Sequence, residues 1–316
     1  MNIEKIRAAA DRNAGHVVET PLLWSPFLDE IAGRRVLVKA ECLQHTGSFK
    51  YRGARSAASA LHADGSAAGG VLAYSSGNHA QGVARAAREF GRPAVIIMPS
   101  AAPEMKIANT RALGADVVVY DRATESREAL GEAMRDERGL ALIRPYDDPE
   151  VIAGQGTCGL EIAAQARGLH ADVLVCCGGG GLSSGIALAL EAEAPGLRVR
   201  TVEPEGCDDV ARSLAAGHAV ENARLTGSIC DAILTPTPGN LTFPILRRWA
   251  GPGLVVADDE ALNAMALAFR HLKLVLEPGG AVALAAALFR DVTDPVIAVA
   301  TGGNVDADTV QKALAR

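Results

Sequence analysis

Short apolar runs rich in valine and isoleucine recur at 35–38, 71–74, 94–98, 116–119, 141–143, 172–176, 197–202 and 295–299, alternating with Ala-rich stretches of helical length. A strand that is apolar at consecutive positions is buried on both faces, and helices packed on both sides of a mostly parallel sheet bury it in that way. The pattern specifies an α/β fold with mostly parallel open sheets. Four strand–helix units follow one another between 71 and 146, enough for a sheet of their own, and the turn Asp147-Asp148-Pro149 after Pro145 marks where the chain returns. At 316 residues, 49% of them hydrophobic, the chain exceeds what one core normally organises. A small α/β domain at 66–147 is expected inside a larger, discontinuous domain made of 1–65 and 148–316.

Charge narrows the partners. With 31 Lys and Arg against 37 Asp and Glu, the net charge is -6, and no basic run offers the patch that a nucleic-acid polyanion needs. The start Met-Asn-Ile-Glu-Lys-Ile-Arg lacks an apolar leader, and no uninterrupted apolar stretch reaches the length of a membrane span. Cys42, Cys158, Cys176, Cys177, Cys207 and Cys230 form no C-x-x-C pair, so they read as reduced thiols rather than a disulfide framework or a zinc site. A cytoplasmic protein acting on a small metabolite, with neither nucleic acid nor membrane as partner, is expected.

The segment Thr46-Gly47-Ser48-Phe49-Lys50-Tyr51-Arg52-Gly53-Ala54 sets one lysine among small residues at the mouth of an expected helix. Burial, or a neighbouring cation such as Arg52, would lower its pKa and leave an amine able to condense with an aldehyde. Taken alone, the segment is equally a solvated pair of charges on a helix face. Two glycine-bearing turns tip the balance. The strand at 172–176 runs into Gly178-Gly179-Gly180-Gly181-Leu182-Ser183-Ser184-Gly185, where successive main-chain N–H groups and a helix N-terminus can converge on a phosphate. Glu203, at the end of the next strand, suggests a dinucleotide site, but no register yields G-x-G-x-x-G because the third position falls on Ser183 or Ser184. The second turn, Ser75-Ser76-Gly77-Asn78-His79-Ala80-Gln81-Gly82, opens another helix with hydroxyls, an amide and an imidazole, the makings of a clamp for a small carboxylate. An N-cap cluster with His79 as a surface residue explains that turn by itself, but less well beside Lys50 and the glycine loop.

These elements, in this order, resemble the fold-type II pyridoxal-phosphate enzymes and, among them, the serine/threonine dehydratase (threonine ammonia-lyase) and serine racemase family. The likeness runs nearly end to end. Besides the three segments above, it includes Val151-Ile152-Ala153-Gly154-Gln155-Gly156-Thr157, Val202-Glu203-Pro204, Glu277-Pro278-Gly279-Gly280-Ala281 and Thr301-Gly302-Gly303-Asn304-Val305-Asp306. It implies a two-domain, tryptophan synthase β-like architecture, pyridoxal 5'-phosphate as cofactor and a homodimer. Lys50 would bond covalently to the cofactor aldehyde and shuttle the Cα proton, with Phe49 against a ring face. Gly178, Gly179, Gly180, Gly181 and Leu182 would hold the phosphate, Asn78 the phenolic oxygen and Thr301 the pyridine nitrogen. Ser75, Ser76, Asn78 and His79 would hold the substrate, and Ser76 stands where the racemases place a proton donor opposite the lysine.

The resemblance also implies a divalent-metal site for Mg²⁺ or Ca²⁺, built from Glu203, Asp209 and the Cys207 carbonyl. An acidic helix start explains the same residues. Two departures stand out: the family's Glu-Pro-Ser-Gly reads Glu277-Pro278-Gly279-Gly280, and the racemases' small-domain arginine falls on Ala133. The implied activity is dehydration of L-threonine or L-serine, through an aminoacrylate, to a 2-oxo acid and ammonia. The alternatives on the same scaffold are a 3-hydroxyaspartate dehydratase or a serine racemase. A second substrate carboxylate would need a cation, for which the sequence offers His45 or Arg52.

Overall fold

The computed structural model describes residues 1–75, 77–102, 104–121 and 124–316. Strands Leu22–Trp24 (β1) and Val36–Lys39 (β2) pair antiparallel at one edge of a sheet. The next four, Val71–Tyr74 (β3), Ala94–Pro99 (β4), Asp116–Tyr120 (β5) and Ala141–Leu142 (β6), form a separate parallel sheet in the order β5-β4-β3-β6. The chain then returns to the first sheet with Ala171–Cys176 (β7), Leu197–Pro204 (β8), Leu254–Val256 (β9) and Val296–Val299 (β10), giving the order β1-β2-β10-β7-β8-β9. The expected α/β class with mostly parallel sheets is what the chain adopts. The two edge strands β1 and β9 are each three residues long and were not anticipated, since so short a segment at an edge leaves little apolar pattern.

Alternating residues of the central strands feed two different cores. Leu174, Cys176, Val296 and Ala298 pack with the helix Pro278–Phe289, which is apolar all round and buried from Pro278 to Leu288. Val173, Val175, Ile297 and Val299 face the other way, onto Ile162, Ile186 and Leu190 of helices Pro149–Gln165 and Gly181–Glu193. Burial on both faces is therefore the reason these strands read as unbroken apolar runs. Among the described residues, no helix is long and apolar enough to cross a membrane.

A charged cluster lies inside this framework. Arg52 and Glu41 are fully buried, with Arg52 Nε 2.7 Å from Glu41 Oε2 and Arg52 Nη1 2.6 Å from Glu161 Oε1. Lys39 Nζ reaches Glu161 Oε2 at 2.5 Å, and Thr20 donates its hydroxyl to Glu41. Burial works to raise the Glu41 carboxyl, but the Arg52 guanidinium and its hydrogen bonds outweigh that and hold it below its ordinary value. The cluster ties the helix Lys50–Ala63 to the helix Pro149–Gln165 and to the N-terminal arm. Removing one member of a buried ion pair strands the others, at about 3–5 kcal/mol. Arg52→Ala is accordingly expected to destabilise the protein by about that amount in denaturant unfolding. A loss below about 1 kcal/mol, the range of exposed pairs, would show that the carboxylates find water instead.

Candidate active site

The C-terminal ends of β3, β7 and β10 open on one cleft, the usual place for a ligand in parallel α/β sheets. Phe49 and Lys50 enter it because their segment is fastened to the end of β10: Phe49 N donates to Thr301 O at 3.1 Å, and Ser48 bridges to Gly302. Lys50 is the first residue of its helix, and its Nζ donates to the Pro145 carbonyl at 2.9 Å. The residue keeps some exposure, yet burial of the amine lowers its pKa to about 8. Burial is the cause, and the nearby cation proposed from the sequence is not. Arg52 does not line the cleft and is engaged by Glu41 and Glu161.

Gly178, Gly179, Gly180, Gly181 and Leu182 line the same cleft. A Cβ on Gly179 would come within 2.2 Å of the Tyr146 ring, and Gly180 adopts φ +89, so this loop closes on the ring only without side chains. Gly181, Leu182 and Ser183 open the helix Gly181–Glu193, whose first N–H groups have no intrahelical acceptor and favour an anion. The Thr235 hydroxyl, buried without a partner, lines the same cleft. Nothing in the sequence singled out Thr235 or Tyr146, since both come from segments with no motif. A lysine amine of lowered pKa in one cleft with a side-chain-free anion cradle fits pyridoxal phosphate, which carries both an aldehyde and a phosphate.

Asn78 lines the cleft too, its Nδ2 donating to Glu277 Oε1 at 2.5 Å and its Oδ1 accepting from Asn304 at 2.6 Å. Burial pushes the Glu277 carboxyl up to about 7 against the lowering effect of the Asn78 hydrogen bond. Thr301 places its hydroxyl 3.1 Å from the Cys176 thiol, which burial raises to about 11. Ser75 lines the cleft, and its hydroxyl accepts from Gly77 N at 3.2 Å. Ser76 lies outside the described residues.

His79 is in the cleft wall, but in a different role from the one expected. Burial and the Lys50 charge lower its pKa to about 3, so the ring is neutral. Its Nε2 lies 2.9 Å from the Ile143 carbonyl, which can only accept, so Nε2 carries the proton and the buried, unpartnered Nδ1 is an acceptor. The imidazole therefore has no proton for a carboxylate. What this segment offers an anion is the free main-chain N–H groups at the start of the helix Asn78–Glu89.

The residues proposed for a metal lie elsewhere, and none lines the cleft. Glu203 accepts from Val210 N at 2.9 Å and Ala211 N at 2.7 Å, capping the helix Asp209–Ala216. Asp209 Oδ1 accepts from Asn222 at 2.6 Å while its Oδ2 is buried without a partner, and the Cys207 thiol faces the Arg224 carbonyl. Burial raises both carboxyls, Asp209 to about 6, and the Asp209 charge raises Glu203 further. Among the described residues, no three His, Cys, Asp or Glu side chains gather as a metal site.

Neither cation suggested for a second carboxylate reaches the cleft: His45 packs edge-on against Tyr51 at 5.2 Å, and Arg52 is sequestered. Besides Lys50, the cationic side chains lining it among the described residues are Lys106 and Arg127, from the helices Glu104–Ala112 and Arg127–Arg138. Ala133, on the second of these, is exposed and away from the cleft.

The family model for pyridoxal-phosphate dependent enzymes matches residues 14–302. The chain is 43% identical over 303 residues to an L-threo-3-hydroxyaspartate ammonia-lyase of a Pseudomonas sp, a match covering 94% of this chain and 93% of that protein. It is 37% identical over 321 residues to a serine racemase of Oryza sativa subsp. indica, covering 99% and 94%. Among solved structures, a T.th. threonine deaminase superposes with a TM-score of 0.90 at 44% identity, covering 97% of this chain and 99% of that one. If the glycine loop is the phosphate cradle, Gly179→Ala weakens pyridoxal phosphate binding about tenfold or more in an absorbance titration, as overpacking displaces the loop. Tyr146→Ala added to it restores part of the affinity, and an unweakened Gly179→Ala protein would place the phosphate elsewhere.

Proposed function

The chain belongs to the pyridoxal-phosphate dependent enzymes, and on that premise we propose that it dehydrates a β-hydroxy-α-amino acid, releasing a 2-oxo acid and ammonia. The observation that carries this reading is the Lys50 amine, desolvated in a cleft whose walls are a side-chain-free glycine loop and a helix N-terminus. Lys50, Phe49, Asn78, Thr301, Thr235 and the loop from Gly178 to Leu182 would hold the cofactor, which when bound supplies the electron sink for a carbanion at Cα.

The protein's own groups then divide the work. Main-chain N–H groups at the start of the helix Asn78–Glu89, with Ser75, hold the substrate carboxylate. Lys50 Nζ takes the Cα proton, and a pKa of about 8 keeps part of that amine unprotonated near neutrality, where a general base works best. The Cβ–O bond breaks, and the departing hydroxyl takes the proton that Lys50 removed from Cα and leaves as water. The enamine left behind tautomerises to an imine, which a second water hydrolyses. One water departs and one is consumed, so the net change is loss of ammonia. Toward the cofactor ring Thr301 would offer a hydroxyl and not a carboxylate, so it would not itself enforce protonation of the ring, which would suit prompt loss of a leaving group.

Lys50→Ala is expected to lower 2-oxo acid release from serine, threonine or 3-hydroxyaspartate by about 10²–10⁴-fold, the usual loss with a general base, while the protein melts normally. Borohydride reduction of the cofactor-loaded parent should label Lys50 in a peptide map. A label on Lys39 or Lys273 would refute the assignment.

The proposal extends to a divalent cation, Mg²⁺ or Ca²⁺, held by Glu203, Asp209 and the Cys207 carbonyl. The partnerless Asp209 Oδ2 and the Asp209 charge beside the buried Glu203 carboxyl support it. Chelation should then lower the melting temperature by several degrees, with recovery on adding Mg²⁺ or Ca²⁺. If a chelated protein assayed free of metal melts as before, these carboxyls only cap a helix.

A further inference from the structure

We propose that Asp231 is an internal stand-in for a second substrate carboxylate: Lys106 holds it at the cleft and exchanges it for the distal carboxylate of a dicarboxylic β-hydroxy-α-amino acid. The inference rests on the dehydratase reading and names its substrate class. Lys106 comes from the helix that follows β4, whereas Asp231 opens the turn Asp231–Ile233, and Ile233 O lies 3.2 Å from where a Cβ on Gly178 would stand. Both residues line the cleft, with Lys106 Nζ 3.1 Å from Asp231 Oδ2.

Their surroundings differ. The Lys106 side chain is 18% exposed and that of Asp231 65%, so solvent screens the pair from the acid's side and the acid is readily rehydrated on release. A carboxylate arriving inside the cleft meets the same ammonium with less water between them, where the attraction is stronger. Arg127, on the next helix of the same sheet, lines the cleft too, its guanidinium 5.8 Å from the Tyr74 ring centre, and adds a second cation. Against these stand Asp231 itself and Glu277, whose buried carboxyl takes up a proton near neutrality. Serine and threonine carry no second carboxylate to compete with Asp231, so they leave the pair in place.

The test compares the parent, Lys106→Ala and Asp231→Asn, all loaded with pyridoxal phosphate, on 3-hydroxyaspartate and L-serine, and measures succinate binding by calorimetry. In Lys106→Ala the ratio of kcat/KM for 3-hydroxyaspartate to that for serine should fall about ten- to hundredfold, the scale of one hydrogen bond to a charged group. Asp231→Asn should move the other way, with a lower KM for 3-hydroxyaspartate and tighter succinate binding, because it removes the competitor. That second variant also decides the matter should Lys106→Ala not fold. Equal losses on both substrates, or weaker succinate binding in Asp231→Asn, would overturn the exchange while leaving the dehydratase reading intact. No turnover of any hydroxy amino acid by the loaded parent would instead remove the dehydratase reading, and succinate binding would still decide whether Lys106 and Asp231 compete for a carboxylate.

Discussion

The position of the Lys50 amine is set by a charge buried two residues further along the helix. Arg52 has no exposed surface, so its guanidinium must be satisfied by Glu41 and Glu161 at fixed distances. Meeting that requirement fixes the helix Lys50–Ala63 against the helix Pro149–Gln165, and the antiparallel bridge between Ser48 and Gly302 holds its entry from the other side. Lys50 sits between these two constraints. Its side chain can bend, but its Cα has little freedom to move without stranding a buried ion.

Burial then acts on the groups in the cleft in one direction, toward neutrality. It lowers Lys50 and His79 and raises Glu277 and Cys176, so four groups that would differ in charge in water approach a common uncharged state. Lys106 is partly exposed and paired with Asp231. The cleft thus gathers hydrogen-bonding groups driven toward neutrality beside a partly exposed ion pair.

The parts of this arrangement that were legible in the sequence are those encoded by neighbours in the chain. Unbroken apolar runs announced the inner strands, and the glycines from 178 to 181 announced a side-chain-free loop, because each pattern is complete within a few residues. Arg52 shows why the rest was not. Beside Lys50 in sequence it looked like a catalytic neighbour, but a helix turns successive side chains to different faces, and this one points into a cluster completed by Glu161, more than a hundred residues away. His79 was rightly placed near the cleft, yet the direction of its proton depends on the Ile143 carbonyl. Thr235, Asp231 and Lys106 belong to no motif, and only the return of the chain to the first sheet brings them to one cavity.

The two sheets have a bearing on how such a protein can be altered. The glycine loop and Thr301 follow strands of the six-stranded sheet, whereas Lys106 and Arg127 ride on helices attached to the four-stranded one. Segments between β4 and β6 could be exchanged to change what is bound at the rim while the glycine loop and its backing ring, Tyr146, stay untouched. Selectivity and cofactor handling become separable inheritances, joined chiefly at Asn78, whose amide is gripped by Glu277 and Asn304 from the larger sheet's side. A library confined to the smaller sheet's helices would explore new substrates without having to rediscover the chemistry.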